Sequence, residues 1–247
     1  MELGTFIAKG NTADIYSSGQ HVIKLFHEGL SESYTFYEAN KQRSAYLEGL
    51  PVPEIIDIKV INGKQAIIME HIDGTTLGDL YINNSHDAKR YLELSIDVQL
   101  AIHKVTINSI EKMSEKLIRQ IERASILQDK QKVFLLERLK QMKYESRLCH
   151  GDFHLYNLIQ NNEGVAIIDW VDASMGDIRA DVYRTYLLYM PHSMEFADMY
   201  LDLYCSKSGV KKEEILQWAP IIAGARLSEN VTGEDHQRLL DIVDQYT

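Results

Sequence analysis

Three oxygen-bearing side chains lie close together in two short stretches of the chain. Asp152 and Asn157 belong to His150-Gly151-Asp152-Phe153-His154-Leu155-Tyr156-Asn157, and Asp169 belongs to Ile167-Ile168-Asp169-Trp170. An amide and a carboxylate oxygen, five and seventeen residues beyond Asp152, can converge on a hard cation. Mg²⁺ takes one or two protein oxygens and completes its shell with phosphate oxygens and water. Asp152 is then left to accept a proton from a hydroxyl. The plain alternative is a set of Asp and Asn residues that shape turns and cap strands and helices.

The elements that must position these residues can be read from pattern. His21–Phe26 is apolar and β-branched behind the turn Ser18-Gly19-Gln20, which favours a strand. Two more strands, Glu54–Ile61 and Gln65–His71, flank Asn62-Gly63, a dipeptide that tolerates the positive φ of a hairpin turn. Between the first strand and this pair Ser31–Leu47 reads as a helix, ended by Gly49 and Pro51. After Asp73-Gly74 the period changes. Asp87–Val105 carries Tyr91, Leu94, Val98, Leu100 and Ile102 at helical spacing, and Met113–Leu127 and Lys132–Met142 continue in that style. Strand signals return at Asn157–Gln160 and Val165–Ile168, around Asn161-Asn162-Glu163-Gly164, and from Ile178 onward the chain is helical with breaks near Pro191, Gly209 and Gly233. The expected fold class is therefore α+β: a small antiparallel-sheet lobe with one helix over residues 1–73, a hinge near 69–74, and a mainly helical lobe over 74–247.

The 247 residues carry 36 acidic and 26 basic side chains, a net charge of −10, which argues against a nucleic-acid or anionic-membrane binder. Two cysteines are too few for a disulfide scaffold and fit a reducing compartment. The N-terminal residues lack a basic segment followed by an apolar run, and no apolar stretch approaches the length of a membrane span. A soluble, cytoplasmic protein is expected, with a monomer as the default because no heptad seam is visible.

Taken together, His-Gly-Asp-x-His-x-x-Asn followed by Ile-Asp-Trp resembles the catalytic and metal-binding loops of the aminoglycoside phosphotransferase and choline kinase families, small-molecule relatives of the protein kinases. The resemblance runs from about Phe6 to Met190 and implies a two-lobed protein-kinase-like fold. It implies that Asp152 orients or deprotonates an acceptor hydroxyl and that Asn157 and Asp169 hold Mg²⁺, as the equivalent loops do in protein kinases. Lys24, mid-strand and expensive to bury unpaired, is then the lysine that contacts the nucleotide phosphates, with Glu38 as its helix partner fourteen residues later. The plain alternative is an edge-strand lysine whose stem snorkels to water. Gly10, Asn11 and Thr12 occupy the place of the phosphate-covering loop, although Gly10 is a single glycine where protein kinases carry three. Met69 is expected behind the adenine pocket, with the Glu70 carbonyl and Ile72 N–H bonding the base. Asp177 reads as a helix cap, and Asp181, His150 and His154 as braces of the catalytic loop.

The activity implied is transfer of the γ-phosphoryl group of ATP, with GTP open, to a hydroxyl of a small molecule. Too few residues separate Asp169 from the helix at Ile178 for a peptide-binding activation segment, and no Ala-Pro-Glu follows. Residues 191–247 hold ten acidic and five basic side chains. Glu229, Glu234 and Asp235 are candidates to attract a cationic acceptor such as an aminoglycoside or amino alcohol, against the alternative of a solvated acidic helix face. Competing readings are a non-catalytic nucleotide-binding or regulatory module on the same fold and a compact protein kinase. A resistance enzyme and a metabolite kinase look alike at this level.

Overall fold

Asn62 and Gly63 take φ of 51° and 79° and fold the strand ending at Ile61 back onto the one starting at Lys64. The structure, a computed structural model, describes residues 3–10, 12–231 and 233–246. Asn11, one of the expected phosphate-loop residues, lies outside the described residues. The first elements are β1 (Thr5–Lys9), β2 (Ala13–Ser18), β3 (His21–Phe26), α1 (Glu32–Leu47), β4 (Ile55–Ile61), β5 (Lys64–Glu70), β6 (Thr75–Thr76) and α2 (Leu77–Asn83). Then come α3 (Ala88–Ile102), α4 (Met113–Arg123), α5 (Asp129–Gln141), β7 (Arg147–Cys149), β8 (Leu158–Gln160), β9 (Val165–Ile167) and β10 (Ser174–Gly176). The chain closes with α6 (Ile178–Tyr189), α7 (Met194–Ser208), α8 (Lys212–Leu216), α9 (Ala219–Arg226) and α10 (His236–Asp244).

Two compact units result: residues up to Ser85 together with Leu155–Asp172, and His86–His154 together with the chain from Ala173 onward. The expected boundary at residue 73 thus falls later, and the segment with Asn157 and Asp169 belongs to the first unit. Backbone pairing is the reason. Thr75 and Thr76 of β6 pair with Gln160 and Ile159 of β8, and the Ile167 N–H donates to the Pro51 carbonyl at 2.8 Å.

In the first unit five antiparallel strands run in the order β1-β2-β3-β5-β4. Side chains alternate across a strand, so Ile23 and Leu25 of β3 join Ala66 and Ile68 of β5 on one face. On the other face Phe26 and Ile67 pack with Ala39 of α1. Lys24 shares the Phe26 side of the strand and therefore points toward α1. Ser31 caps that helix, its hydroxyl accepting the Tyr34 N–H at 3.2 Å.

The second unit is helical around one short ladder, in which β10 pairs with β7, Ser174 opposite Cys149 and Met175 opposite Leu148. Its core includes Ile221, Ile222 and Ala223 of α9, Leu135 of α5 and Leu239 of α10. Gly224 lets α9 approach α5: a Cβ there would lie 2.4 Å from Leu135 Cδ1. The helix expected over Met113–Leu127 stops at Arg123, where Ala124 turns to ψ 94° and breaks the helical path. Cys149 and Cys205 are both free thiols. No helix among the described residues is long and apolar enough to cross a membrane.

Candidate active site

Lys24 lies in a central strand, paired in register with Ile15 of β2 and Ile67 of β5, and not at an edge. Its side chain is only 13% exposed. An ammonium so placed requires carboxylate partners. It has two: a close ion pair with Glu38 Oε1 from α1, and Asp169 Oδ1 at 3.3 Å. Burial pulls the Lys24 ammonium down, but Asp169 and Glu38 outweigh it and hold the group above its ordinary range, charged at any physiological pH. Burial pushes the Glu38 carboxyl up against the opposing pull of Lys24. Glu38 Oε2 is buried without a hydrogen-bond partner among the described residues.

Asp169 has φ +63°. Left-handed backbone costs a non-glycine residue ~1–2 kcal/mol, so neighbouring contacts must hold it. One is the β8–β9 hairpin, closed by Asn161, whose Oδ1 accepts the N–H groups of Glu163 and Gly164 at 2.9 and 3.0 Å. At the open end the Ile168 N–H donates to the Asn157 carbonyl at 3.0 Å. The hairpin therefore places Asn157 beside the residue that precedes Asp169. A carboxylate oxygen beside the Lys24 ammonium, with an amide-bearing residue at the mouth of the adjoining hairpin, supplies the hard oxygen donors that suit Mg²⁺.

Asp152 belongs to the second unit. Its loop is held by Asp181, buried in α6, which accepts the Gly151 N–H at 2.7 Å and the His150 N–H at 3.3 Å. Gly151 has φ +81°, open to glycine without strain. The Asp152 N–H donates to His150 Nδ1 at 3.3 Å, and His154 Nε2 lies 3.4 Å from Asp152 Oδ2. Burial raises the Asp152 carboxyl, but the hydrogen bond and charge of His154, with Arg184, hold it well below the ordinary carboxylate range. So ionised a group is a weak base: it can orient a hydroxyl and take the proton late, as the bond to phosphorus forms.

Sequence reasoning missed what fixes Asp181. His103 Nε2 lies 3.0 Å from Asp181 Oδ2 and His103 Nδ1 lies 2.8 Å from the Tyr204 hydroxyl. Gln99, bonded by the Tyr200 hydroxyl at 2.6 Å, donates to Asp181 at 3.4 Å. Burial raises the Asp181 carboxyl, yet His103 and the Gly151 N–H bring it below its ordinary value. The clue was available: His103 ends an apolar helical run, where a buried imidazole needs two partners.

Asp177 caps α6 through the Arg179 N–H at 2.9 Å and also accepts the Trp218 indole N–H at 3.1 Å. Thr12 is half-buried and its carbonyl accepts the His27 N–H; Gly10, exposed, donates to the Ala13 carbonyl. Met69 packs beside the α1 face of the sheet, the Glu70 N–H donates to the Glu54 carbonyl, and Ile72 follows β5, half-buried. Glu229 and Glu234 are not free carboxylates. Arg184 grips Glu229 with both Nη atoms at 2.9 and 2.8 Å, and Arg226 reaches Glu229 at 2.6 Å and Glu234 at 2.7 Å. Arg238 closes on Glu234 at 3.0 Å, while Asp235 caps α10 through the N–H groups of Gln237 and Arg238.

A five-stranded antiparallel sheet with one inserted helix, joined to a helical unit that carries an aspartate loop, is the arrangement of kinase-like phosphotransferases, and the comparisons agree. A sequence profile of the Phosphotransferase enzyme family matches residues 5–218, so the chain belongs to that family. A crystal structure of a thermostable mutant of aminoglycoside phosphotransferase APH(4)-Ia, in ternary complex with AMP-PNP and hygromycin B, superposes with a TM-score of 0.73 at 16% identity, covering 98% of this chain and 92% of that one. Choline kinase LicA from Streptococcus pneumoniae superposes at 0.66 with 16% identity, covering 100% and 94%. At such identities the likeness shows the fold. In sequence, acyl-CoA dehydrogenase family member 10 of Mus musculus is 27% identical over 194 residues, 67% of this chain. The chain spans only 18% to 26% of the length of the curated relatives it matches.

Proposed function

We propose that the protein transfers the γ-phosphoryl group of ATP, or of GTP, to a hydroxyl of a small molecule in an Mg²⁺-dependent reaction. The observation that carries this reading is the Lys24–Glu38–Asp169 constellation, a desolvated ammonium held charged between two carboxylates in a member of a phosphotransferase family. Lys24 binds the phosphates, with the backbone around Gly10–Thr12 as a second contact. Asn157 and Asp169 are the residues that would hold Mg²⁺, which when bound supplies charge screening among the phosphate oxygens. Met69, Glu70 and Ile72 seat the base. Asp152, kept ionised, aligns the acceptor hydroxyl and takes its proton, and His150, His154, Asp177 and Asp181 keep its loop in place. Because arginines already neutralise Glu229 and Glu234, the net acidity of the C-terminal segment is no guide to the acceptor. An acceptor panel should therefore include sugars and anionic alcohols beside aminoglycosides and amino alcohols.

Thermal unfolding with ATP or GTP, each with and without Mg²⁺, tests the nucleotide site. A ligand that binds only the folded state at ~100 Kd adds ~2.7 kcal/mol. The expected result is an upward shift that needs Mg²⁺ and disappears in Asp169→Ala. No shift with either nucleotide would overturn the reading. Labelled phosphate recovered on protein rather than on a small molecule would replace it with a protein kinase.

A further inference from the structure

Lys41 is a buried cation with no part in the chemistry above. The residue is only 2% exposed, on α1 one turn beyond Glu38. Its Nζ donates to the Val171 carbonyl at 2.8 Å and sits over the Tyr37 ring, 4.1 Å from the centroid. Val171 lies two residues past Asp169, in the 3₁₀ turn Trp170–Asp172. That turn has a second anchor in Trp170, fully buried, whose indole N–H donates to the Ile167 carbonyl at 3.2 Å. Asp169 is thus bracketed. On one side Ile168 is bonded to Asn157; on the other Val171 is bonded to Lys41. The same helix face reaches the Asp169 carboxylate itself through Glu38 and Lys24. Residues three apart on a helix share a face, so one face of α1 is tied to the Asp169 side chain through Lys24 and, by Lys41, to the backbone that follows it. A strained φ persists only where the surroundings over-determine it.

We infer that Lys41 is a positioning residue for Asp169: it ties the turn after the metal-binding aspartate to α1 and so sets the affinity of the site for a divalent cation. The inference rests on the proposed Mg²⁺–nucleotide reading. It assigns Lys41 no contact with nucleotide or metal. Loss of a partner that orients a metal ligand typically weakens metal affinity about 10–100-fold.

The test measures binding and needs no acceptor. Free Mn²⁺ is followed by electron paramagnetic resonance as protein is titrated with the β,γ-imido analogue of ATP, and metal-free binding of the same analogue is measured separately. In Lys41→Met, Mn²⁺–nucleotide affinity should fall at least about tenfold, with metal-free nucleotide affinity within about twofold of wild type, since Lys24 and Glu38 are untouched. Should Lys41→Met fail to fold, Tyr37→Leu, at an exposed ring, removes the aromatic partner of Lys41 and should weaken Mn²⁺–nucleotide binding about two- to fivefold, the size of an exposed cation–π contact. Unchanged Mn²⁺–nucleotide affinity in the folded variants, or equal losses with and without metal, would overturn the role of Lys41. A wild type that binds no Mn²⁺–nucleotide would instead overturn the proposed function and take this inference with it.

Discussion

Lys24→Met removes the cation between Glu38 and Asp169 while keeping most of the stem that packs beside Phe26. Asp169 retains solvent, but Glu38 is left as a buried carboxylate whose Oε2 has no hydrogen-bond partner among the described residues. Removing one member of a buried pair costs ~3–5 kcal/mol. Some solvent still reaches Lys24, which sets the expectation at the lower end, about 3 kcal/mol. For a chain of this size that corresponds to a fall in Tm of ~6–12 °C. The loss must depend on pH in a defined sense. With Lys24 gone, burial acts on Glu38 unopposed, joined by the nearby Asp169 and Asp172 carboxylates, and raises its folded pKa further above the ordinary value of 4.5. Stability tied to a raised folded pKa is fully present below the unfolded pKa and is lost as pH rises through the folded one. The deficit of Lys24→Met should therefore be largest near pH 8 and shrink toward pH 5 as Glu38 takes a proton. Lys24 itself does not titrate in that window, because its own pKa is raised. The double variant Lys24→Met/Glu38→Met removes the stranded carboxylate and should recover most of the loss at pH 8, a coupling of ~2 kcal/mol or more. Thermal unfolding of the four proteins between pH 5 and 8 reads this directly. A deficit that is flat or grows as pH falls, or a double variant no better than the single, would refute the charge argument.

The second unit sets further expectations. Because His154 and Arg184 hold the Asp152 carboxyl below its ordinary range, the acid limb of kcat/KM that reports Asp152 should lie below the usual carboxylate values. His154→Ala should move that limb upward, and Asp152→Asn should lower turnover ~10²–10⁴-fold with nucleotide binding kept; a limb indifferent to His154 would show that another group titrates. His103→Leu withdraws a donor from buried Asp181 and a partner from the Tyr204 hydroxyl. With ~1.5–3 kcal/mol for a bond to a charged group, it should destabilise by ~2–4 kcal/mol in denaturant and lower turnover through the loosened His150–Gly151 backbone, whereas unchanged stability would show that Asp181 does not need it.

The parts of this fold that could be read in sequence are those long enough to carry a period. β3 and the Asn62-Gly63 hairpin fall where β-branched composition and turn chemistry put them, and α3, α5, α6 and α7 match within a few residues, whereas the break between α8 and α9 carries no expected signal. The pairs β7–β10 and β6–β8 were not legible, because strands of two or three residues hold no alternation and their partners lie 27 and more than 80 residues away. That β6–β8 ladder is also what carries Asn157 and Asp169 into the first unit. Composition misled in one place. The ten acidic residues of 191–247 have a net sign, but Glu229 and Glu234 face Arg184, Arg226 and Arg238, and sequence charge does not say which carboxylates are already paired.

The helix α1 turns its polar side inward. A helix that serves only packing buries its apolar stripe and leaves its charges in water. Here the buried residues are Thr35, Glu38, Ala39, Lys41, Gln42 and Ala45, while Phe36, Tyr37 and Tyr46 are exposed and Leu47 is 80% exposed. The inversion is not disorder in the pattern. Three of the four inward polar groups reach other elements of the first unit: Glu38 on Lys24, Lys41 on Val171, and Gln42 on the Pro53 carbonyl at 2.8 Å, while Thr35 donates back to the Ser31 carbonyl at the start of the helix. Desolvating these groups opposes folding unless every one finds its partner, so a helix of this kind persists where the partners themselves must be held still. The loops carry Asp152, Asn157 and Asp169. The helix that braces the turn beyond Asp169 is the element whose polar face is turned inward.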